Sequence, residues 1–357
     1  MARIRVLVVE DSITVRKRLV QVLAADAELE VVGEAGDGRH AIELCRELRP
    51  DVVTLDMMLP VMSGLAASEY IMAHFPTPIL IVSASINRGE LFRAYDALAA
   101  GAVDVLEKPN GNEGDGLWEE RFLSTVKLVS RIRVITHPRP RSGGLSHPLP
   151  VAPAHLPQIV RQGLRAVAIG ASTGGPAAIV EILRSLPAPY PLPILLVVHI
   201  GEPFGSAFAD WLDGLTGHRV SYARGEESLA SVESRVVMAP PDRHLVVREG
   251  RLHLTSDPER HSCRPSVDVL FESVAREFGA ACVACLLTGM GRDGASGLLE
   301  IRRRGGLTLA QDEATSAVYG MPREAVLLGA AERVLALAEV APLLAALVDV
   351  PRNRRAS

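Results

Sequence analysis

The sequence lacks several features that would assign it to common protein classes. No apolar run approaches the ~20 residues needed to span a bilayer, and the N-terminus leads into an apolar segment without a signal-peptide cleavage pattern. We therefore expect a cytoplasmic protein without a membrane-inserted segment. The formal net charge is only −4, and we find neither helix-turn-helix spacing nor a basic stripe, so binding to nucleic acid is disfavoured.

Cysteine is also scarce, with four residues among 357. Cys282 and Cys285 have the spacing of a redox motif, but they lie within an apolar segment that reads as a strand, which favours buried packing over redox chemistry. Cys45 and Cys263 carry no functional signal in their sequence context. The cysteines therefore give no evidence of a disulfide framework or a thiol-based site.

A glycine-flanked serine, Ser172, follows an apolar segment at 166–169 and precedes a helical apolar spacing at 176–186. This strand-turn-helix context is typical of a nucleophile elbow, which exposes a serine hydroxyl at the end of a strand. A P-loop would need a lysine closing the turn, and a dinucleotide fingerprint would need a different glycine spacing. Because glycine and serine are also ordinary loop residues, the segment alone leaves a non-catalytic turn as an alternative.

A serine nucleophile needs a base and a group that orients the base. His199 ends the apolar run 193–198, and Asp293 lies in a glycine-rich segment after the apolar run 281–286. Parallel strands place their carboxyl ends at one sheet edge, so these residues are candidates to meet Ser172 there. A hydrogen-bonded strand-end histidine without catalytic function remains the alternative for His199.

Carboxylates follow two predicted strands in the first third of the chain. The segment 4–9 leads into Glu10 and Asp11, and the segment 51–55 leads into Asp56. Neighbouring carboxylates repel one another unless a cation neutralises them, and hard oxygen ligands are those that Mg²⁺ selects. The pattern therefore predicts a Mg²⁺ site.

Two further predicted strands end near polar residues. The segment 78–82 leads into Ser83, and the segment 102–106 leads into Lys108, one of only three lysines in the chain. A lysine after a strand suggests a site that requires a compact, mobile positive charge. Lys108 alone is equally compatible with an incidental surface lysine.

The pattern of strands and helices divides the chain into two α/β domains. Residues 1–133 alternate five predicted strands with helices, closed by a helix at 119–133, and residues 134–160 form a Pro- and Gly-rich flexible linker. Residues 161–350 again alternate strands and helices, which predicts a doubly wound, mostly parallel sheet, with an antiparallel hairpin turning at 248–251.

Five segments of the second domain together resemble the protein-glutamate methylesterases of bacterial chemotaxis: Gly-Ala-Ser-Thr-Gly-Gly at 170–175, His199, and the segments 264–268, 287–294 and 319–324. The resemblance implies that Ser172, His199 and Asp293 form a catalytic triad. Their chain order differs from that of ordinary α/β-hydrolases. It also implies hydrolysis of glutamate methyl esters on methyl-accepting chemotaxis receptors, often with deamidation of receptor glutamines, by a monomer that needs no cofactor for the esterase reaction.

Neighbouring groups have candidate roles in this reaction. Backbone N–H groups near Thr173 and Met290 are candidates for the oxyanion hole, since glycine-rich turns leave such donors available. Arg264 is a candidate for positioning the substrate, with a structural ion pair as an equal alternative.

The first domain resembles a flavodoxin-like two-component receiver through Glu10, Asp11, Asp56, Ser83 and Lys108. The resemblance implies that Asp56 accepts a phosphoryl group from a histidine kinase and that Mg²⁺, bound by Glu10, Asp11 and Asp56, assists this transfer. It also implies that Ser83 and Lys108 contact the phosphoryl group. Phosphorylation is then expected to relieve inhibition of the esterase. Val105 stands where receivers commonly carry an aromatic switch residue, and the segment 57–64 lacks the acidic residues often found there.

Two other functions are compatible with parts of the pattern. A phosphorylation-switched adaptor would bind receptors without catalysis, although it has no physical need for all three triad residues. A hydrolase of small-molecule esters would need a concave apolar pocket.

Overall fold

The computed structural model describes residues 3–84, 87–109, 116–132, 134, 163–201 and 203–348. The chain divides into two compact units, Met1–Arg141 and Ser142–Ser357. Apart from residue 134, the predicted linker 134–160 lies outside the described residues. No helix within the described ranges has the length and apolar character needed to cross a membrane.

The first unit contains five strands and five helices that alternate along the chain. These are β1 (Ile4–Val9), α1 (Ile13–Ala24), β2 (Leu29–Ala35), α2 (Gly38–Leu48), β3 (Val52–Leu55), α3 (Gly64–His74), β4 (Ile79–Ser83), α4 (Arg88–Ala99), β5 (Asp104–Glu107) and α5 (Leu117–Val129). All strand pairs are parallel, in the order β2-β1-β3-β4-β5. This is the flavodoxin-like order, so the predicted fold class is confirmed.

The closing helix of this unit was predicted at 119–133, whereas α5 spans Leu117–Val129. The indole of Trp118 is buried and donates from Nε1 to the carbonyl of Glu107, 2.8 Å away. That contact, together with a ring stack on Phe122, fixes the first turn of α5 against the sheet.

The second unit is also built from alternating strands and helices. These are β6 (Ala166–Ala171), α6 (Gly175–Ser185), β7 (Ile194–Val198), α7 (Phe208–Leu215), β8 (Arg219–Tyr222), β9 (Arg235–Met238), β10 (His244–Arg248), β11 (Arg251–Thr255), α8 (Val267–Phe278), β12 (Cys282–Leu286), α9 (Ala295–Arg303), β13 (Leu307–Gln311), α10 (Met321–Leu327), β14 (Arg333–Leu335) and α11 (Leu337–Val348). Seven strands form a parallel sheet in the order β14-β13-β12-β6-β7-β9-β8.

The predicted hairpin is present as the antiparallel pair β10-β11. It forms its own two-stranded sheet instead of extending the parallel one. Side chains of α8 hold it, because Ser273 Oγ accepts from Val247 N at 3.0 Å and Glu277 accepts from Gly250 N at 2.8 Å.

Strand β6 lies at the centre of the second sheet and marks a change in its winding direction. The chain first adds β7 on one side of β6 and later returns to add β12 on the other side. The three central strands, β12, β6 and β7, are apolar and buried at every position, as a parallel sheet covered on both faces requires. In open α/β sheets such a switch point, at the carboxyl ends of the strands, is the usual place for a binding site.

Candidate active site

The three predicted triad residues follow three adjacent strands at this switch point. Ser172 comes directly after β6, His199 directly after β7, and Asp293 lies in the loop that follows β12. Backbone hydrogen bonds extend the ladder beyond the strands, since His199 N donates to the carbonyl of Ala171 at 3.0 Å and Ser172 N donates to that of Thr288 at 3.0 Å. The three side chains therefore project from one rigid edge of the sheet.

His199 and Asp293 are in direct contact. His199 Nε2 donates to Asp293 Oδ2 over 2.9 Å, and the Asp293 side chain is only 2% exposed. The imidazole is 14% exposed, so it reaches the surface of the site while its partner carboxylate is buried. Since Asp293 occupies Nε2, Nδ1 is the ring nitrogen left to face a reacting hydroxyl.

The N-terminus of α8 holds the Asp293 carboxylate in place. Oδ1 accepts from Ser266 Oγ at 2.8 Å and from Asp268 N at 3.1 Å, and Oδ2 accepts from Val267 N at 2.7 Å. A helix N-terminus favours a carboxylate because its first N–H groups have no partner within the helix. Asp293 is therefore kept ionised in a buried position.

These contacts shift the protonation equilibria of both residues. Burial disfavours the charged form of His199, but the hydrogen bonds to Asp293 and Cys263 and the negative charge of Asp293 outweigh it and raise the pKa of His199 from 6.5 to about 9. Burial alone would raise the pKa of Asp293, yet the hydrogen bond and charge of His199 and the bonds from Asp268 N and Ser266 hold that pKa below its usual value. The pair therefore favours an imidazolium beside a carboxylate.

The Ser172 turn is packed tightly against the loop after β12. Gly174 has a φ of +77°, which favours glycine. A Cβ on Gly289 would lie 2.7 Å from Ser172 Cβ, so only glycine lets the two loops approach this closely. Thr288 ties them together, since its Oγ1 donates to the carbonyl of Thr173 at 3.0 Å.

The predicted oxyanion residues lie in these two loops. Thr173 immediately follows Ser172 in the turn before α6, and Met290 immediately follows Gly289. The side chain of Met290 is 58% exposed, which places it at the open surface of the site. The structure thus brings both loops beside the serine that they were predicted to serve.

Arg264, the candidate for positioning the substrate, forms an ion pair with Asp242. Its Nε lies 2.7 Å from Asp242 Oδ1, and its Nη1 donates to the carbonyl of Asp257 at 3.3 Å. The structural ion pair is therefore the alternative for which the geometry gives evidence.

Two features of the site were missed in the sequence. Ser266 and the α8 N-terminus were noted only as part of a family motif, although they bind Asp293 directly. Cys263 has no functional signal in its sequence context, yet its Sγ lies 3.7 Å from His199 Nδ1 and donates to the carbonyl of His261 at 3.4 Å. A signal for Ser266 was present, because a serine directly before an apolar helical segment is a typical N-cap; none was present for Cys263.

Asp268 is a second buried carboxylate, close behind Asp293. It accepts from Gly297 N at 2.6 Å and from His261 Nε2 at 3.1 Å, and burial raises its pKa. Its side chain links α8 to the start of α9 and binds His261 instead of His199, so its role is to fix the frame of the site.

In the first unit, the residues predicted to bind a phosphoryl group and a cation also meet at one sheet edge. Lys108 Nζ lies 2.8 Å from Asp56 Oδ2 and 2.8 Å from Glu10 Oε2. Glu10 and Asp56 are buried, Asp11 is exposed, and carboxylate oxygens of all three lie within 4.8 Å of one another. Glu10 and Asp56 therefore share one lysine, and the carboxylate of Asp11 lies close to both acids.

This cluster fits a divalent cation of the Mg²⁺ type. Burial raises the pKa of Glu10 against the opposing effect of Lys108, so the buried acids lack full compensation of charge. Burial also disfavours the charged form of Lys108, but the hydrogen bonds to Asp56 and Glu10 outweigh it and raise its pKa. The buried Ser83 hydroxyl, at the end of β4, has no hydrogen-bond partner among the described residues. It is therefore available to donate a hydrogen bond to an oxygen atom of a bound group.

The sequence matches two family models. Residues 167–344 match the CheB methylesterase model, and residues 6–114 match the response regulator receiver domain model. The chain is 44% identical over 337 residues to protein-glutamate methylesterase/protein-glutamine glutaminase 2 of Anaeromyxobacter dehalogenans, covering 94% of this chain and 95% of that protein. It is 42% identical to protein-glutamate methylesterase/protein-glutamine glutaminase 4 of Myxococcus xanthus, covering 96% of each.

Among solved structures, the crystal structure of the Thermotoga maritima CheB methylesterase catalytic domain is 32% identical, with a TM-score of 0.49. The match covers 52% of this chain and 99% of that domain.

Proposed function

Because the chain belongs to the protein-glutamate methylesterase family that carries a receiver domain, we propose that Ser172, His199 and Asp293 hydrolyse glutamate methyl esters on chemotaxis receptors when Asp56 is phosphorylated. The observation that carries the proposal is the 2.9 Å bond between His199 Nε2 and Asp293 Oδ2, at the sheet edge where Ser172 follows β6. An imidazole oriented by a buried carboxylate is what a serine nucleophile requires.

The reaction proceeds in two halves. His199 Nδ1 takes the proton of Ser172 as Oγ attacks the ester carbonyl, and Asp293 stabilises the resulting imidazolium. His199 returns the proton to the methoxide leaving group, so methanol departs and a glutamyl-serine ester remains. Water then attacks this ester with His199 again as base, which releases the glutamate and restores the serine.

Charge on the carbonyl oxygen is stabilised by backbone donors of the two adjoining loops. We assign this role to N–H groups of Thr173 and Met290, which follow Ser172 and Gly289 in sequence. Helix α6 begins at Gly175, so the positive end of the helix dipole lies close to the serine.

The same site would deamidate receptor glutamines. An amide differs from a methyl ester at the leaving group, and His199 would give its proton to the departing amide nitrogen, so that ammonia leaves in place of methanol. The names of the relatives include both activities.

The first unit supplies the control. Asp56 would attack the phosphoryl group donated by a histidine kinase, with Lys108 and Ser83 contacting the phosphoryl oxygens. Mg²⁺, held by Glu10, Asp11 and Asp56, would supply positive charge that offsets the charge of the phosphoryl oxygens. Phosphorylation would raise the esterase rate of the second unit.

The proposal can be tested by measuring methanol release from methylated receptor membranes. The wild type should release methanol, an acyl phosphate donor with Mg²⁺ should stimulate it, Ser172→Ala should abolish it, and Asp56→Asn should abolish the stimulation. Ser185→Ala, at an exposed position near the end of α6, is the matched control and should behave as the wild type. Methanol release by Ser172→Ala at the wild-type rate would refute the assigned nucleophile, and a phosphorylated wild type that releases none would favour the adaptor alternative.

A further inference from the structure

The thiol of Cys263 shares the His199 imidazole with the proposed triad. Cys263 Sγ lies 3.7 Å from His199 Nδ1, while Asp293 Oδ2 lies 2.9 Å from Nε2 on the other side of the ring. One sulfur, one imidazole nitrogen and one carboxylate oxygen thus lie within 4.8 Å of one another. Cys263 and His199 are partly exposed, so a small solute can reach the pair.

A tight turn presents the thiol at this position. Arg260 and Cys263 exchange backbone hydrogen bonds of 3.2 and 3.0 Å, which closes the turn through His261 and Ser262. Cys263 is followed by the segment that leads into α8, whose N-terminus binds Asp293. This segment therefore fixes the thiol and, through the N-terminus of α8, the carboxylate that orients His199.

The separation of Cys263 and His199 suits a tetrahedral metal ion better than a short hydrogen bond. Zinc bonds of about 2.3 Å to sulfur and about 2.0 Å to nitrogen, at a tetrahedral angle, separate the two ligand atoms by about 3.5 Å. The observed separation is 3.7 Å. A metal could therefore bridge Sγ and Nδ1 with little movement of either side chain.

Asp293 would support such an ion without binding it. Metal-ligating histidines usually donate their other N–H to a carboxylate, which fixes the tautomer and increases the basicity of the ligand nitrogen. His199 Nε2 already donates to Asp293 in this way. The Asp293 contact thus leaves Nδ1 as the metal-binding nitrogen.

We propose that Cys263 and His199 form a binding site for a thiophilic divalent cation of the Zn²⁺ type, which inhibits the esterase. Sγ and Nδ1 are the two protein ligands, and water completes the coordination. Binding displaces the thiol proton and, where His199 is an imidazolium, the proton on Nδ1 as well, since the thiolate and the neutral imidazole are the ligands. The inhibition rests on the proposed function, because the ion occupies the same His199 nitrogen that accepts the proton of Ser172.

The other clusters of candidate ligands among the described residues differ in chemistry. Glu10, Asp11 and Asp56 offer only oxygen, which suits a hard cation. His261 with Asp268 lies beside cationic groups, since Arg292 Nε is 3.3 Å from His261 Nδ1 and Arg260 is 4.0 Å from Asp268. Of the three clusters that the described part of the chain forms, the Cys263 cluster alone combines a thiol with an imidazole, so a thiophilic ion should distinguish it from the Mg²⁺ site.

Direct binding is tested with Co²⁺ as a spectroscopic substitute for Zn²⁺ on the full-length protein. The wild type should show a thiolate-to-cobalt charge-transfer band that saturates at one equivalent and disappears when Zn²⁺ is added. Cys263→Ser should lack the band, and Cys45→Ser, which removes a buried thiol of the other unit, should keep it. Circular dichroism verifies that each variant is folded, and Cys263→Ala replaces Cys263→Ser if the serine variant is not.

Inhibition is then measured as methanol release against Zn²⁺ concentration, each protein relative to its own metal-free rate. Cys263→Ser should need at least about tenfold more Zn²⁺ for half-inhibition, because loss of even an outer-shell partner typically costs 10- to 100-fold in metal affinity. Chelation should restore the wild-type rate.

The two measurements separate failure of this inference from failure of the esterase assignment. A wild type without the cobalt band, a band that persists in Cys263→Ser, or equal Zn²⁺ inhibition of both proteins would overturn the metal site. A Cys263-dependent band in a protein that releases no methanol from any methylated receptor would support the metal site while removing the esterase function, and with it the inhibitory role.

Discussion

Activity and stability of the second unit should change in opposite directions between about pH 6.5 and pH 9. His199 must be neutral to accept the proton of Ser172, and its pKa is raised to about 9. At pH 7 about 1% of such an imidazole is neutral, and each further pH unit increases that fraction about tenfold until the pKa is reached. The rate of methanol release should therefore rise steeply up to about pH 9 and then level off.

The stability follows from the same equilibrium with the opposite sign. A folded-state pKa above the unfolded value of 6.5 contributes stability that is fully present below pH 6.5 and is lost as the pH rises through about 9. The difference corresponds to about 3 kcal/mol, and the imidazole is only 14% exposed, so solvent screens it little. Urea unfolding, followed by the fluorescence of buried Trp211, measures this loss at each pH.

Asp293→Asn is the decisive perturbation. The variant removes the charge that helps to raise the pKa of His199, so the rising limb of the rate profile should move to lower pH and the pH dependence of stability should flatten. At pH 7 the rate should fall about 10⁴-fold, as it does when a triad carboxylate becomes an amide in serine proteases. Asp268→Asn, which alters a buried carboxylate that hydrogen-bonds to Gly297 N and His261 instead of His199, is the matched control and should leave the limb in place.

Two results would refute this reasoning. A wild-type limb centred near pH 6.5 would mean that Asp293 and Cys263 do not hold the proton on His199. A limb that stays in place in Asp293→Asn would mean that the buried carboxylate does not determine the protonation of the base.

Three further predictions concern the frame of the two sites. Gly289→Ala would place a Cβ 2.7 Å from Ser172 Cβ, so kcat should fall at least about tenfold through misplacement of the nucleophile, whereas Gly214→Ala on α7, where a Cβ meets nothing within 4 Å, should leave kcat unchanged. Ser266→Ala removes the N-cap of α8 and a hydrogen bond to the triad carboxylate, so urea denaturation should show a loss of about 1–2 kcal/mol, and an unchanged midpoint would contradict this. Glu10→Gln should raise the Mg²⁺ concentration needed for half-maximal phosphorylation, measured as phosphoryl incorporation; an unaltered requirement would exclude Glu10 from the cation site.

The sequence predicted the parts of the sites that depend on local pattern. Apolar strands followed by Ser172, His199 and Asp293 predicted one sheet edge, because parallel strands align their carboxyl ends. The five strands of the first unit were predicted from the alternation of apolar segments with helical patterns, and the hairpin was predicted from its turn residues.

Contacts that depend on long-range packing could not be predicted. The position of Cys263 beside His199 results from the turn at 260–263 and from the packing of α8, neither of which leaves a periodic signal in the sequence. Likewise, α5 begins at Leu117 because the indole of Trp118 reaches the carbonyl of Glu107, a contact set by the sheet and not by helix propensity.

The distribution of the site over β6, β7 and β12 also determines when it can form during synthesis. Ser172 and His199 are made early, whereas Asp293 lies 94 residues after His199. Domains generally fold as units, and pairing between distant strands is slow because loop closure must precede it. A nascent chain thus carries nucleophile and base without their orienting carboxylate until β12 has been synthesised and has paired with β6, so fragments that end before β12 should remain inert towards esters.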